Sequence, residues 1–298
     1  MENSLVTIAI PAYKATFLRE TIESALAQTY TNIEVIVVDD KSPYHLQEIV
    51  ESINDSRLHY YRNEENIGNE NPANNWNKCL SYAHGTFFSL LCDDDLYEPT
   101  FIECMVKLAQ QYPDTNVFRA RADIIDKDGN TIDWYPNAPV WENADDYVWH
   151  VNRRCRKQTI SEFMYRTDHI RKLGGYSNLP LAWYADYASV FRFALKGGIA
   201  STPDILMHFR QSGQNISSID ENNIMEKLNA ISQYVKWLTG FIFQNHLHKS
   251  ILHIGNLRDS VMIEQEWILR HSSKWTLLKV FFHKKRLMVH SCSIRKAL

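Results

Sequence analysis

Residues 32–40 read NIEVIVVDD, which is the strongest strand pattern in the chain. A short, mainly apolar and β-branched run such as Val35–Val38 predicts a strand that is buried on both faces, as in a parallel sheet. Similar runs occur upstream, in LVTIAIP at 5–11, and downstream, in TFFSLL at 86–91. Residues at helical spacing separate these runs. This alternation predicts an α/β fold with a mostly parallel, Rossmann-like twisted sheet flanked by helices.

Two of the predicted strands end in carboxylates. Asp39 and Asp40 close the second strand, and Asp93, Asp94 and Asp95 follow the later one. Because ligands of open α/β sheets bind at the carboxyl ends of the strands, both clusters are candidate binding residues. Neighbouring carboxylates repel one another, so either a bound cation or a solvated strand end must stabilise the triplet. Both explanations stay open at this level, and Asp95 also fits as a cap of the next helix.

The composition is that of a folded protein with a substantial core. The chain has 298 residues, 45% hydrophobic and 22% charged, which suits one large domain or one domain with an appendage. Its five cysteines show no CxxC pair or Cys/His ligand spacing, which predicts reduced thiols and no zinc site. No signal-peptide pattern and no apolar run of about 20 residues occurs, so we expect a cytoplasmic protein without a membrane span.

The charge is distributed unevenly along the chain. Net charge is −3, yet residues 271–298 hold seven basic residues and no acidic one. Trp275, Leu278, Phe281 and Phe282 interleave with these lysines, which predicts an amphipathic helix in peripheral contact with an anionic membrane at its inner face. A C-terminal helix docked on the protein with exposed lysines explains the pattern equally well. We expect no nucleic-acid partner.

The pattern is less regular in the second half of the chain. Residues 136–156 are rich in Trp, Tyr, Asn and Asp without a clear period, which predicts a loop over the cleft. Helical spacing returns at 183–195 and dominates from residue 222 onward.

Six segments, taken together and in this order, resemble the family 2 glycosyltransferases of the GT-A fold. The resemblance covers about residues 5–218. It implies a catalytic domain at 1–218, followed by a C-terminal helical region at 219–298 that includes the basic tail. The segments are VTIAIPAYK (6–14), ETIESALAQTYTNIEVIVVDDKS (20–42), NIG (66–68), AHGTFFSLLCDDDLYEP (83–99), LGGYSNLPLAWYADYASVFRFALKGG (173–198) and MHFRQSGQNIS (207–217).

The resemblance implies transfer of a sugar, with inversion, from a nucleotide-diphosphate donor to an acceptor hydroxyl. The expected donor is a UDP-sugar, and the expected acceptor is a glycan or lipid-linked glycan in cell-surface or capsular polysaccharide synthesis. The diphosphate gains negative charge as the glycosidic bond breaks. We therefore expect a Mg²⁺ or Mn²⁺ ion to bridge carboxylate and phosphate oxygens.

The resemblance also assigns residues to the donor and to the metal. Asp94 is the expected main metal ligand, Asp95 is an alternative if the register slips by one, and His208 completes the site. Asp39 is expected at the nucleobase, because a carboxylate accepts a hydrogen bond from a pyrimidine imide. The other expected donor contacts are the wall formed by Pro11, Ala12 and Tyr13, Asp93 at the ribose or the metal's water shell, and Arg210 at the diphosphate.

Asp186 is the expected general base. Transfer to a hydroxyl needs a carboxylate that removes its proton on the face opposite the departing diphosphate. The family usually shows an acidic pair before the helix here, whereas this chain has Ala185 and Asp186. An Asp in the first turn of a helix, stabilised by the helix dipole, explains the position without catalysis.

Two other functions fit parts of the sequence. A nucleotidyltransferase would use a similar sheet and cation, but PAYKATFLRE, after the first strand, lacks a Gly-rich basic phosphate loop. A non-catalytic module would use the aspartates for a structural Ca²⁺, but EF-hand spacing is absent and Asp186 would have no role.

Overall fold

A computed structural model describes residues 3–213, 224–274, 277, 278 and 280. The strands are β1 (Val6–Ala12), β2 (Ile33–Asp39), β3 (Leu58–Arg62), β4 (Phe87–Leu90), β5 (Leu96–Tyr97), β6 (Val117–Ile125), β7 (Thr131–Trp134), β8 (Trp141–Glu142), β9 (Phe163–Arg166) and β10 (Ile199–Arg210). The helices are α1 (Leu18–Leu26), α2 (Leu46–Glu51), α3 (Pro72–Tyr82), α4 (Phe101–Gln111), α5 (Ala144–Asn152), α6 (Thr167–Lys172), α7 (Ala185–Ala194), α8 (Ile224–Gln244), α9 (His248–Leu252) and α10 (Ile254–Arg270).

The strands form one sheet in the order β3-β2-β1-β4-β9-β6-β10-β5, and β7 and β8 pair with β6 and β10. The half built from β3, β2, β1 and β4 is parallel, as the strand–helix alternation of the first hundred residues predicts. Beyond β4 the sheet is mixed, because β9 runs antiparallel between β4 and β6. The predicted α/β architecture is confirmed, and every residue of β2 is buried.

Helices cover both faces of this sheet. Side chains of α1, α2 and α4 form one apolar cluster, and those of α3, α5 and α7 form another. Helix α8 adds Tyr234, Leu238 and Phe241 to the second cluster. A helix from the predicted C-terminal region therefore packs into the same core as the sheet. The predicted boundary between residues 218 and 219 lies outside the described residues.

The loop predicted over residues 136–156 is wrong, because it contains helix α5. The side chain of Asn143 accepts a hydrogen bond from the backbone N–H of Asp146, which caps the first turn. Tyr147, Val148 and Val151 then face the core. Acidic and aromatic residues lie around these positions, so the helical spacing of the apolar residues is not evident in the sequence.

Much of the basic tail lies outside the described residues, including Trp275, Phe281 and Phe282. Of its described residues, Leu277 and Val280 are buried against α8 and α10 residues, and Leu278 is 42% exposed. In the ranges that the structure describes, no helix combines the length and apolarity needed to span a membrane. Contact of residues 271–298 with a membrane stays a prediction.

Candidate active site

The two acidic clusters lie close together at one edge of the sheet. Strand β1 runs between β2 and β4, so the carboxyl ends of all three strands are neighbours. Three hydrogen bonds link the clusters. The backbone N–H of Ser42 donates to Asp39 Oδ1 at 2.7 Å, Ser42 Oγ donates to the carbonyl of Tyr13 at 2.6 Å, and the N–H of Tyr13 donates to Asp93 Oδ2 at 2.8 Å.

Asp93 and Asp94 converge on the ammonium group of Lys14. Its Nζ lies 2.5 Å from Asp94 Oδ2 and 3.2 Å from Asp93 Oδ1, and its backbone N–H also donates to Asp93 Oδ2. Burial raises the pKa of Asp93 above its usual value, although the charge of Lys14 opposes the shift. Burial lowers the pKa of Lys14, but the two carboxylates outweigh it and the pKa is raised. The arrangement is a pair of buried carboxylates that share one cation.

Asp95 does not contact Lys14 in the way that Asp93 and Asp94 do; its carboxylate is hydrogen-bonded to Ser161 and to the end of β10. Its Oδ2 accepts a hydrogen bond from Ser161 Oγ at 2.6 Å, and its Oδ1 accepts one from the backbone N–H of Arg210 at 3.0 Å. The side chain is fully buried, and burial together with the charge of Asp94 raises its pKa well above the usual value. Both oxygens of Asp95 are therefore engaged by protein groups, and the choice between Asp94 and Asp95 as a metal ligand stays a prediction.

Arg210 is buried beneath the acidic triplet. Its Nε donates to the carbonyl of Asp94 at 3.0 Å, and its Nη2 donates to Glu20 at 2.8 Å. Its guanidinium carbon lies 4.3 Å from the centroid of the Phe17 ring. These contacts fix the backbone that carries Asp94. Contact with a diphosphate stays a prediction for this residue.

Both ring nitrogens of His208 contact carboxylates that lie outside the acidic triplet. Nδ1 lies 2.7 Å from Asp123 and Nε2 lies 2.9 Å from Glu98. The hydrogen bond to Asp123 raises the pKa of His208, although burial opposes the shift. In the described parts of the chain, no group of three or more His, Cys, Asp or Glu residues could hold a metal ion. His208 as a metal ligand stays a prediction.

The residues expected to form a wall for the nucleobase, Pro11 to Tyr13, directly precede Lys14. Asp39 is fully buried and accepts hydrogen bonds from Ser42, Tyr60 and Arg62. Pro11 and Ala12 form the end of β1, and the Tyr13 side chain that follows is 42% exposed. Contacts of Pro11, Ala12, Tyr13 and Asp39 with a base stay predictions. The sequence did not single out Tyr60 and Arg62. They lie two residues apart on β3, and only the pairing of β3 with β2 shows that both side chains reach Asp39.

Asp186 lies in the first turn of α7, after a loop with unusual backbone angles. Leu181, Ala182 and Tyr184 have φ values of 59°, 52° and 61°, in the left-handed region that side chains with a Cβ rarely adopt. Such strain persists where packing imposes it, and it clusters at functional sites. The Tyr184 ring stacks on Tyr234 of α8 at a centroid distance of 4.2 Å, so α8 supports the loop.

A short hydrogen-bond chain holds the carboxylate of Asp186. Gln158 Nε2 donates to Asp186 Oδ2 at 3.3 Å, and Tyr147 Oη donates to Gln158 Oε1 at 2.5 Å, which fixes the orientation of the amide. Burial raises the pKa of Asp186 to about 6, and its hydrogen bonds oppose the shift only in part. A carboxylate with this pKa suits proton abstraction near neutral pH. Gln158 and Tyr147 carry no signal in the sequence that marks them as partners of Asp186.

Comparison with known proteins gives a consistent picture. The family model "Glycosyl transferase family 2" matches residues 7–167. An uncharacterized glycosyltransferase of Haemophilus influenzae is 28% identical over 245 residues, covering 76% of this chain and 73% of that protein. An Escherichia coli UDP-Glc:alpha-D-GlcNAc-diphosphoundecaprenol beta-1,3-glucosyltransferase, WfgD, is 34% identical over 109 residues, covering 36% of this chain and 42% of WfgD.

A solved structure extends the similarity to most of the chain. The crystal structure of S. aureus TarS 1-349 in complex with UDP-GlcNAc superimposes with a TM-score of 0.61 at 14% identity, covering 92% of this chain and 83% of the 1-349 chain. At this identity the similarity concerns the fold alone, and it confirms the predicted GT-A-type architecture.

Proposed function

The chain belongs to glycosyltransferase family 2, and from this premise we propose that it transfers a sugar from a UDP-sugar to a hydroxyl of a glycan or lipid-linked acceptor. The observation that carries the proposal is the position of two buried carboxylates, Asp93 and Asp94, which both contact the ammonium group of Lys14 next to the ends of β1 and β2. We prefer sugar transfer over nucleotidyl transfer and over non-catalytic metal binding because the family model that matches the chain is one of glycosyltransferases.

Relatives support the choice of donor and acceptor. TarS has been crystallised with UDP-GlcNAc and with UDP, and WfgD is named for transfer from UDP-Glc to a diphosphoundecaprenol-linked sugar. In this proposal the nucleobase binds beside the exposed Tyr13 side chain, which is linked through its backbone to Asp93 and, through Ser42, to the buried Asp39.

We propose that a divalent cation binds at this strand end together with the donor diphosphate. A donor diphosphate is anionic, and the acidic groups here outnumber the basic ones, so the diphosphate needs an added positive charge. Mg²⁺ in such sites takes one or two carboxylates, and substrate phosphates complete its shell. Asp94, with Asp93, would hold the ion, which would neutralise charge on the leaving diphosphate. Ion pairs join Asp93 and Asp94 to Lys14 and Glu20 to Arg210, while Asp95 accepts hydrogen bonds from the backbone N–H of Arg210 and from Ser161.

Asp186 supplies the proton acceptor in this proposal. As the acceptor oxygen bonds to the anomeric carbon, its proton passes to the Asp186 carboxylate and the bond to UDP breaks on the opposite face. Attack opposite the leaving group inverts the anomeric configuration. Burial supports this role, because it raises the pKa of Asp186 to about 6 while leaving the group ionised at neutral pH.

Replacing Gln158 with Leu should move the pH dependence of transfer to higher pH. The hydrogen bond from Gln158 favours the ionised form of Asp186, so its loss raises the pKa of the base further. The acidic limb of the rate profile should shift upward, with UDP affinity unchanged. Gln47→Leu on the exposed face of α2 is the matched control, and an identical profile in both variants would contradict the positioning role.

A thermal-shift panel of nucleotide sugars with and without Mn²⁺ tests the function. A true donor stabilises the folded state in proportion to the logarithm of its concentration over Kd, so it should raise Tm well above the other nucleotides. The effect should need Mn²⁺ or Mg²⁺. NMR of the product formed with that donor should show an inverted anomeric configuration. A panel in which no nucleotide sugar shifts Tm under either condition would overturn the proposal.

A further inference from the structure

Lys14 is the cation that now compensates Asp93 and Asp94. Its side chain is 26% exposed, whereas those of the two aspartates are 6% and 4% exposed, so a partly exposed ammonium contacts two buried carboxylates. The backbone N–H groups of Tyr13 and Lys14 both donate to Asp93, which fixes the start of the lysine side chain against its partners. The contact is a built ion pair rather than a chance encounter of surface groups.

Asp93 and Asp94, the residues proposed to hold the metal, are already engaged by this ion pair. A divalent ion held by both carboxylates would compete with the ammonium for them, because two cations in contact with the same buried pair repel each other. Removing a buried pair's partner is costly, since it leaves a charge without compensation. Binding of the metal alone therefore loses two lysine contacts, and the displaced ammonium gains only water.

A donor changes this balance. When a diphosphate arrives with the metal, the displaced ammonium of Lys14 finds a new anionic partner at the mouth of the same site. The loss of its two carboxylate contacts is then offset by phosphate contacts. Metal and nucleotide should each increase the affinity for the other, and by linkage the effect must be reciprocal.

We propose that Lys14 is a resident counter-ion that divalent metal displaces, and that it makes tight metal binding depend on the nucleotide diphosphate. The inference rests on the proposed function. It adds that Lys14 sets the order of binding: the acidic pair stays neutralised without donor, and the metal enters with the nucleotide. Lys14 then passes from the carboxylates to the phosphates.

Mn²⁺ binding measured by electron paramagnetic resonance, with and without UDP, tests the proposal in the full chain. Without UDP, Lys14→Gln should bind Mn²⁺ on the order of tenfold more tightly than the unmodified protein, within the usual range of linked sites. UDP should tighten Mn²⁺ binding strongly in the unmodified protein and much less in Lys14→Gln. Lys107→Gln, which removes an exposed lysine paired with Glu103 on α4, should behave as the unmodified protein.

The outcomes separate the lysine proposal from the proposed function. Equal Mn²⁺ affinities in Lys14→Gln and the unmodified protein, with UDP tightening both alike, would overturn the role of Lys14 and leave metal-dependent donor binding intact. Failure of every variant to bind Mn²⁺ or UDP would overturn both.

A measurement on the unmodified protein covers the case in which Lys14→Gln does not fold. Reductive methylation of Lys14, followed by mass spectrometry, reports whether its amine is engaged. Mn²⁺ at a concentration that the resonance titration shows to saturate the site without UDP should accelerate methylation of Lys14 and leave Lys107 unchanged, because an ion held by both carboxylates frees the ammonium. An unchanged rate at Lys14 would overturn the proposal.

Discussion

Asp94→Asn is expected to abolish transfer and metal-dependent UDP binding while the fold stays intact. The substitution keeps the shape of the side chain and an oxygen that can accept from Lys14, but it removes the charge proposed to hold the metal. Metal stabilisation of a leaving group is worth several kcal/mol, and about 1.4 kcal/mol corresponds to tenfold, so kcat/KM should fall about a thousandfold or more.

Calorimetry of UDP binding with and without Mn²⁺ checks this result, together with an assay of UDP release. Asp128→Asn is the control, since Asp128 is exposed in the turn before β7. Circular dichroism should be unchanged in both variants. An Asp94→Asn protein that binds UDP with Mn²⁺ and turns over normally would remove the metal role from this residue.

Asp186→Asn is expected to retain donor binding and lose transfer. General-base catalysis is worth about 10² to 10⁴-fold, so kcat should fall in that range while the Kd for UDP stays unchanged. The amide still offers an oxygen to Gln158, so the first turn of α7 should keep its geometry. A kcat close to that of the unmodified protein would exclude Asp186 as the base.

Stability gives this variant a second readout. Burial raises the pKa of Asp186 to about 6. A carboxyl group whose pKa is raised by folding binds its proton more tightly in the folded state, so the free energy of unfolding declines as pH rises through that pKa. Asn cannot ionise. At pH 7 to 8 the Asp186→Asn protein should therefore be at least as stable as the unmodified one, and a lower Tm there would contradict the burial account.

The strands and the meeting of the acidic clusters could be predicted from sequence. Continuous β-branched runs identify buried parallel strands, and the carboxyl ends of parallel strands lie at one edge of the sheet. Asp39 and Asp93 are accordingly linked through Ser42 and Tyr13. The sequence did not single out Lys14, because only the folded strand order shows that it contacts Asp93 and Asp94.

The roles within the triplet could not be predicted. Three consecutive carboxylates look alike in sequence, and the direction of each depends on distant segments. Asp95 is turned inward by Ser161 and by the backbone of Arg210, which lies 115 positions later. The same applies to His208, whose contacts are with Asp123 within β6 and with Glu98 directly after β5. Local periodicity carries no information about such long-range pairings.

Mn²⁺ anomalous scattering from crystals grown with UDP tests the central claim most directly. The account predicts one Mn²⁺ ion bound to the Asp94 carboxylate and to the diphosphate, beside the carboxyl ends of β1 and β4, with the uracil near Tyr13. UDP bound in the cleft with no ion at Asp94, or an ion bound away from the nucleotide, would contradict it.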